Sequence, residues 1–385
     1  MSDVQPADST ESIPLARPSL SATAREAVND VLHSSHLSRG PYVDAFEEKM
    51  AEQCGTRHAV AVSSGTAALH CIVSALGLAP GDEVLTTPFS FVASTNVLLY
   101  EDLRPRFVDI DPTTYNIDVE RVARAITPQT KAILAVDVFG LPADWPALTA
   151  LADQHDLLLI DDACEALGGT VADRPIGAWG DAAAFGFYPN KQITTGEGGC
   201  ITTDNADLAR ACRSLRNQGR ATNGRMQHNR LGYNYRLDEM SAALGCAQLD
   251  RLEEILDRRR AVARLYEEAL APLADDLLLP PSPQAERSWF VYVVRLRDHF
   301  ADTARDQLMN HLQSKGIGCA PYFPSIHLQP YHSNRLRHNP GDFPVCERIA
   351  ARTIALPFHK DLSPPQTQRV ANVLKDALHR LPREK

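Results

Sequence analysis

The chain has 385 residues, 44% hydrophobic and 23% charged, with a formal net charge of −9. This is an ordinary globular composition, long enough to split into two cores without a disulfide staple. The acidic balance argues against general nucleic-acid binding, which needs a basic footprint, so an anionic substrate would require a local basic pocket.

The eight cysteines (Cys54, Cys71, Cys164, Cys200, Cys212, Cys246, Cys319 and Cys346) form no C-x-x-C pair. No metal site or redox pair is therefore expected. Most lie in apolar contexts, where a free thiol behaves as a small hydrophobe, and this suits a reducing, cytoplasmic setting. Residues 1–12 are polar, with no apolar signal region, and read as a flexible tail. No apolar run approaches the length of a membrane span.

In chain order, helices are expected over Arg17–Leu32, with Ser21 or Thr23 as cap, and over Tyr42–Gln53. Ala59–Val62 is a strand that runs into Ser63-Ser64-Gly65-Thr66. Leu69, Ile72, Val73 and Leu76 then follow i, i+3, i+4, i+7, so a helix begins near Thr66. Its free N–H groups, positive dipole and adjacent hydroxyls make a phosphate site, although a plain serine N-cap is the better reading of the stretch in isolation. Glu83–Thr87, Arg106–Asp109, Lys131–Val138, Leu157–Asp161, Ala182–Phe187 and Cys200–Thr203 read as strands. Phe89 and Phe91 lie on a strand-end loop, with Phe89 expected in the core. Strands alternating with helices over residues 58–203 imply a mostly parallel sheet covered by helices on both faces, with ligands at the strands' carboxyl ends.

Arg213 to Arg230 reads as a loop holding Arg213, Arg216, Arg220, Arg225 and Arg230. Either a bidentate diphosphate contact or a solvated face fits it. Asp238–Leu270 reads as a long, breakable helix whose Arg258-Arg259-Arg260 run is expected on the solvated surface. After Pro280 the texture becomes α+β. Strands are expected over Trp289–Leu296 and Ile317–Pro321, a helix over Asp302–Ser314, and a last helix starts at Ser363-Pro364-Pro365. The expected organisation is a tail over 1–12, a large α/β domain over 13–257 and a smaller C-terminal α+β domain over 258–385.

The motif that organises the chain is Tyr188-Pro189-Asn190-Lys191, followed by Thr194-Thr195-Gly196-Glu197-Gly198-Gly199. Proline and glycines place Lys191 on a tight loop between two strands. A lysine there is a candidate Schiff-base former, because an ammonium loses its proton readily once desolvated; taken alone, a solvated turn lysine is the commoner case. Asp161-Asp162 at a strand end and the phosphate-type turn at Gly65 change that balance. An acid, a phosphate cup and a loop lysine are what a pyridoxal phosphate enzyme needs.

With Gly232-Tyr233-Asn234-Tyr235-Arg236 and His327-Leu328-Gln329-Pro330, these motifs resemble, in the same order, those of the DegT/DnrJ/EryC1/StrS sugar-nucleotide aminotransferases. The resemblance implies the fold type I architecture of pyridoxal phosphate enzymes. It implies Lys191 as the lysine that holds pyridoxal 5'-phosphate and then moves a proton. Asp162 becomes the pyridinium partner, and Ser64, Gly65 and Thr66 the phosphate cup. Phe91 becomes the stacking aromatic, and Glu165 a carboxylate near the cofactor where many relatives have glutamine. Asn234 would enter from a neighbouring subunit, making a homodimer with shared sites. Asn190, Arg220, Tyr322 and His327 fall on the substrate side. The family's serine five positions before the lysine is Gly186 here, so one hydroxyl donor is missing. The implied reaction moves an amino group from glutamate to a nucleotide-linked keto-deoxyhexose of the 4-keto-6-deoxy, perosamine-like type. The alternatives are a sugar dehydratase of the same family, which carries histidine in place of this lysine, and a non-catalytic regulator on the same fold. A nicotinamide enzyme is excluded for want of a G-x-G-x-x-G opening a helix.

Overall fold

A computed structural model describes residues 12–221, 227–281 and 286–383. The chain opens with α1 (Ala22–His33), capped by Ser21, and α2 (Pro41–Cys54). Strand β1 (His58–Val62) leads through the Ser64 cap into α3 (Gly65–Ala75). There follow β2 (Glu83–Thr86), α4 (Ala93–Tyr100), β3 (Arg104–Phe107), α5 (Val119–Ala125), β4 (Thr130–Val136), α6 (Trp145–His155) and β5 (Leu158–Asp162). A two-residue hairpin, β6 (Thr170–Val171) and β7 (Arg174–Pro175), precedes β8 (Ala182–Gly186), β9 (Gly199–Thr203) and α7 (Ala206–Leu215).

Seven of these strands form one sheet in the order β1-β9-β8-β5-β4-β2-β3. Pairing is parallel from β8 through to β3, while β9 runs antiparallel to both β1 and β8. The expectation of a mostly parallel sheet therefore holds, with β9 as the reversed strand. Its reversal follows from the short lysine loop, which returns the chain to the end of the sheet it has just left; parallel neighbours need a long crossover. Both faces are covered: one core cluster packs under α3, α4 and α7, the other under α2 and α6.

The outer edge of β1 is closed by side chains instead of another strand. Glu47 accepts from Ala61 N at 3.0 Å, and Arg213 Nη2 donates to Ala59 O at 2.8 Å. Arg216 donates to Ala61 O and to Glu47, and Arg213 Nη2 lies 3.1 Å from Glu47. Pairing an edge in this way removes a template for unwanted strand addition. The loop expected from Arg213 onward begins only at Arg216, since Arg213 to Leu215 form the last turn of α7; the described residues from Arg216 to Arg230 lie outside helix and strand. Both Arg213 and Arg216 are held by a buried carboxylate and strand carbonyls, which engages them at the sheet edge and away from a diphosphate; Arg216 is largely buried, while the Arg213 side chain stays 34% exposed. Arg225 lies outside the described residues.

Two helices, α8 (Glu239–Leu249) and α9 (Leu252–Leu270), lead to the second sheet. The expected boundary at 257/258 falls inside α9. The second sheet has three antiparallel strands, β10 (Leu277–Leu278), β11 (Tyr292–Leu296) and β12 (Thr353–Leu356). It packs with α10 (Ala304–Ser314) and the last helix, and the short α11 (Pro330–Leu336) and α12 (Pro344–Ala350) bridge back toward the large sheet. The last helix, α13 (Pro364–Leu378), begins with a capping box of Ser363 and Gln366. Ile317–Pro321 is not a strand. It makes two isolated bridges, Ile317 to Ile13 and Ala320 to Ala355, one on each side, so no continuous ladder forms. Ile13 itself joins the core of this smaller sheet.

Candidate active site

The carboxyl ends of β1, β2, β5 and β8 open on one cleft of about 470 Å³. Ser64, Gly65, Thr66, Phe91, Asp162, Glu165, Asn190, Lys191 and Tyr322 all line it. Five separate stretches of sequence thus meet at one place, where a parallel sheet is expected to bind its ligand.

Each wall has a local cause. Ser64 Oγ accepts from Ala67 N at 3.1 Å and so starts α3. The N–H groups of Gly65 and Thr66, which lack intrahelical acceptors, are left at the cleft wall. Gly199 must lack a side chain, because a Cβ there would sit 2.3 Å from Ser64 O. Strand alternation sends Asp162 to the cleft and Asp161 to the opposite face. Asp162 is 5% exposed; its Oδ2 accepts from Ser94 Oγ at 2.6 Å and its Oδ1 from Cys164 N at 3.3 Å. Among the described residues, no basic side chain comes within ion-pair distance of it.

The Lys191 loop closes on itself. Phe187 N donates to Gly198 O at 2.9 Å, Thr195 N to Phe187 O at 3.1 Å, and Lys191 N to Tyr188 O at 2.9 Å. Gly196, at φ +83°, makes the return turn in the left-handed region. Lys191 Nζ lies 3.6 Å from Glu165 Oε1 and 4.1 Å from the centre of the Phe290 ring. The second oxygen of Glu165 accepts from Phe139 N at 2.9 Å. Burial raises the Glu165 carboxyl above its ordinary value, and the neighbouring Lys191 ammonium and the Phe139 N–H pull it back down. Asn190 Nδ2 donates to Tyr322 OH at 3.3 Å, joining the loop to the smaller sheet's side of the cleft.

The structure does not bring every expected residue here. His327 is fully buried outside the cleft, with Nε2 3.0 Å from Glu347 Oε1 and its ring against Phe343. Burial lowers its pKa, as for a packed core histidine. Arg220 also lies away from the cleft, on the segment bridged to His228. Asn234 is exposed on its own chain and bridges to Asn217. Phe89 is fully buried, whereas Phe91 is 63% exposed at the cleft.

Ser94, Gln192 and Phe290 belong to the site but carry no expectation from sequence. Ser94 follows the end of β2 closely enough for the strand-end rule to have flagged it. Gln192 Nε2 donates to Glu165 O at 2.6 Å and to Ser288 Oγ at 2.8 Å, bracing the loop from behind. Phe290 arrives from far along the chain, and nothing local marks it.

The chain matches the DegT/DnrJ/EryC1/StrS aminotransferase family over residues 18–375. It is 37% identical over 368 residues to a GDP-perosamine synthase of Caulobacter vibrioides, covering 95% of this chain and 98% of that one. A GDP-perosamine synthase of Vibrio cholerae is 35% identical over 365 residues, covering 94% and 98%. Among solved structures, Helicobacter pylori PseC, an aminotransferase involved in the biosynthesis of pseudoaminic acid, superposes with a TM-score of 0.92 at 26% identity, covering 96% of this chain and 100% of that one. Aminotransferases of this family are in general pyridoxal phosphate enzymes with an α/β fold. A family match over nearly the whole length, and a relative 37% identical over almost all of both chains, carry one conclusion: the chain belongs to the DegT/DnrJ/EryC1/StrS aminotransferase family.

Proposed function

We propose that the protein transfers an amino group from glutamate to a nucleotide-linked 4-keto-6-deoxyhexose, with pyridoxal phosphate as cofactor, and that the nucleotide is guanosine diphosphate. The observation that carries this is the convergence of Lys191, Asp162, Glu165 and the α3 N-terminus in one cleft. The identity to two GDP-perosamine synthases supports the choice of acceptor.

The residues present fit the cofactor. A buried carboxylate with no cation beside it, Asp162, is the partner a protonated pyridine nitrogen requires. The Gly65 and Thr66 N–H groups and the dipole of α3 suit a phosphate. Phe91 is exposed at the cleft, where its ring can cover an aromatic ligand.

When bound, pyridoxal phosphate supplies an electron sink that acidifies the C–H beside a substrate nitrogen. The protein's part is to hold and move protons around that centre. Lys191 Nζ carries the proton, and Glu165 Oε1 steadies its ammonium form. Ser94 fixes the rotamer of Asp162 by donating to it. Asn190 and Tyr322 offer an amide and a phenol to a sugar's hydroxyl groups. Glutamate and keto-sugar use the same lysine in turn, which implies ping-pong kinetics.

Asn234 is exposed and outside its own cleft, and Leu231 beside it is 83% exposed. Both suit a homodimer in which Asn234 completes the partner's phosphate site. All eight cysteines are free thiols, which favours a cytoplasmic setting. Among the described residues no helix is long and apolar enough to cross a membrane.

The test is to supply glutamate, pyridoxal phosphate and a keto-deoxyhexose linked to guanosine, uridine or thymidine diphosphate, and to follow products by mass. An amino-sugar from the guanosine-linked substrate supports the reading. Loss of water without gain of nitrogen would instead indicate a dehydratase, and turnover of none would favour a regulator.

A further inference from the structure

Arg259 is the one member of the Arg258–Arg260 run that turns inward. Ile255 and Leu256 precede it on α9 and Val262 and Ala263 follow it, all buried, so helical period alone carries its side chain into the interior. Arg258 and Arg260 form surface ion pairs, as expected of the run. Arg259 is 6% exposed, and burial lowers its pKa to about 10, so it remains a cation near neutrality.

No carboxylate accounts for that buried charge among the described residues; desolvation is the whole of its perturbation. Its hydrogen-bond partners are three backbone carbonyls, and its guanidinium lies 5.6 Å from the centre of the Phe358 ring. Nη2 donates to Lys191 O at 3.0 Å, while Nη1 donates to Phe290 O at 3.1 Å and to Trp289 O at 3.3 Å. A buried cation without a counter-ion is costly, and carbonyl dipoles offset only part of that cost. What the arrangement achieves is geometric. The planar fork of one guanidinium spans the two segments that set the position of the lysine's amine. One is the backbone of Lys191. The other is Phe290, whose ring lies 4.1 Å from Lys191 Nζ.

We propose that Arg259 is a positioning residue for Lys191, tying the lysine's backbone and the Phe290 surface together so that Nζ is held in the cleft beside Glu165. It reaches neither cofactor nor substrate and acts only through the loop. The inference rests on Lys191 being the cofactor-bearing lysine. A purely structural Arg259 would anchor α9 to the smaller sheet, and its loss would lower stability without changing how fast Nζ captures an aldehyde.

The experiment measures that capture directly. Full-length protein freed of cofactor is mixed with pyridoxal phosphate, and the visible band is followed as Nζ joins the aldehyde carbon and one water leaves. Arg259→Met, Arg259→Lys and wild type are compared. Tyr266→Phe is the control; it removes a 2.8 Å hydrogen bond from the same helix to Pro357 O, away from the loop. A misplacement of about 1 Å can cost on the order of a hundredfold in such a step, so Arg259→Met should capture at least about fivefold more slowly than wild type. Arg259→Lys should recover part of that loss, and Tyr266→Phe should match wild type whatever its melting temperature. Capture by folded Arg259→Met at less than fivefold below wild type would overturn the proposal. So would an equal slowing in Tyr266→Phe. If Arg259→Met does not fold, Arg259→Lys is judged in its place, and capture within about twofold of wild type would overturn the proposal. Borohydride trapping of the wild type separates the two levels: an adduct away from Lys191 removes the reading of that lysine and this inference with it, while an adduct at Lys191 with unaltered Arg259 variants removes the inference alone.

Discussion

Lys191 Nζ and Glu165 Oε1 stand 3.6 Å apart in a cleft where both side chains are largely withdrawn from water. Glu165 keeps its other oxygen on Phe139 N, so its carboxylate can steady the lysine's charge without swinging toward it. A carboxylate here places a titratable negative group beside the lysine's amine.

Glu165→Gln should fold normally, because an amide oxygen can still accept from Phe139 N. We expect kcat to fall by roughly tenfold, less than the loss of a whole acid–base group. The sign of the pH effect follows from burial, which raises the Glu165 carboxyl above the usual carboxylate range. As pH rises through that value Glu165 gains the charge that steadies Lys191, giving an acid limb in the kcat/KM profile. That limb should vanish in Glu165→Gln, and its persistence would assign it to another group.

Asp162→Asn keeps an oxygen for Ser94 Oγ and should melt near the wild-type temperature. It removes the buried negative charge opposite the expected pyridine nitrogen. Losing one such electrostatic partner costs about 10²–10³ in kcat, and steady-state kinetics against glutamate would show it. Turnover within a few-fold of wild type would take Asp162 out of that role.

Gly186 occupies the position where the family resemblance expects a serine hydroxyl. A Cβ there would meet Cys164 Sγ and Gly65 Cα at 3.5 Å, which is ordinary contact. Gly186→Ser should therefore fold, and its hydroxyl would add a donor to the phosphate cup. A hydrogen bond to a charged group contributes about 1.5 kcal/mol, so retention of pyridoxal phosphate should tighten roughly tenfold in equilibrium dialysis. Weaker retention would mean that Cys164 and Gly65 cannot accommodate the change.

The buried Asp137 predicts a stability effect away from catalysis. Burial pushes its carboxyl up to about 7, although Ala143 N and Trp145 Nε1 both donate to it. Asp161 is raised as well, by burial first and by Asp137 next. Between about pH 4 and 7 the folded protein binds a proton that the unfolded chain has lost, so stability falls as pH rises through that window. Asp137→Asn keeps the acceptor oxygen but cannot titrate. Between pH 5 and 8 wild type should lose more stability than the variant, read from urea midpoints. Parallel pH profiles would contradict this.

Much of the site was legible because its chemistry is carried by short motifs at strand ends. Ser64-Gly65-Thr66, Asp162 and Pro189-Asn190-Lys191 each owe their geometry to neighbours in sequence. Where the reading went astray, distant packing decided. For Arg213 and Arg216 the sequence leaves a diphosphate contact and a solvated face equally open, whereas Glu47 and the open edge of β1 hold both. Arg259 was hidden in a charged run although its helical neighbours are apolar, so periodicity was the better guide there than charge. His327 sits in a recognisable motif, yet Glu347 and Phe343 fold over it and keep it from the cleft. Phe290 could not have been found, since only the return of the smaller sheet brings it under the lysine.

The most direct test of the account is to load the protein with pyridoxal phosphate, reduce it with borohydride and map the modified peptide by mass spectrometry. One pyridoxyl phosphate is expected on Lys191, absent when glutamate is added before reduction and absent in Lys191→Ala. A label on any other residue, or none while Lys191 is recovered unmodified, would contradict it.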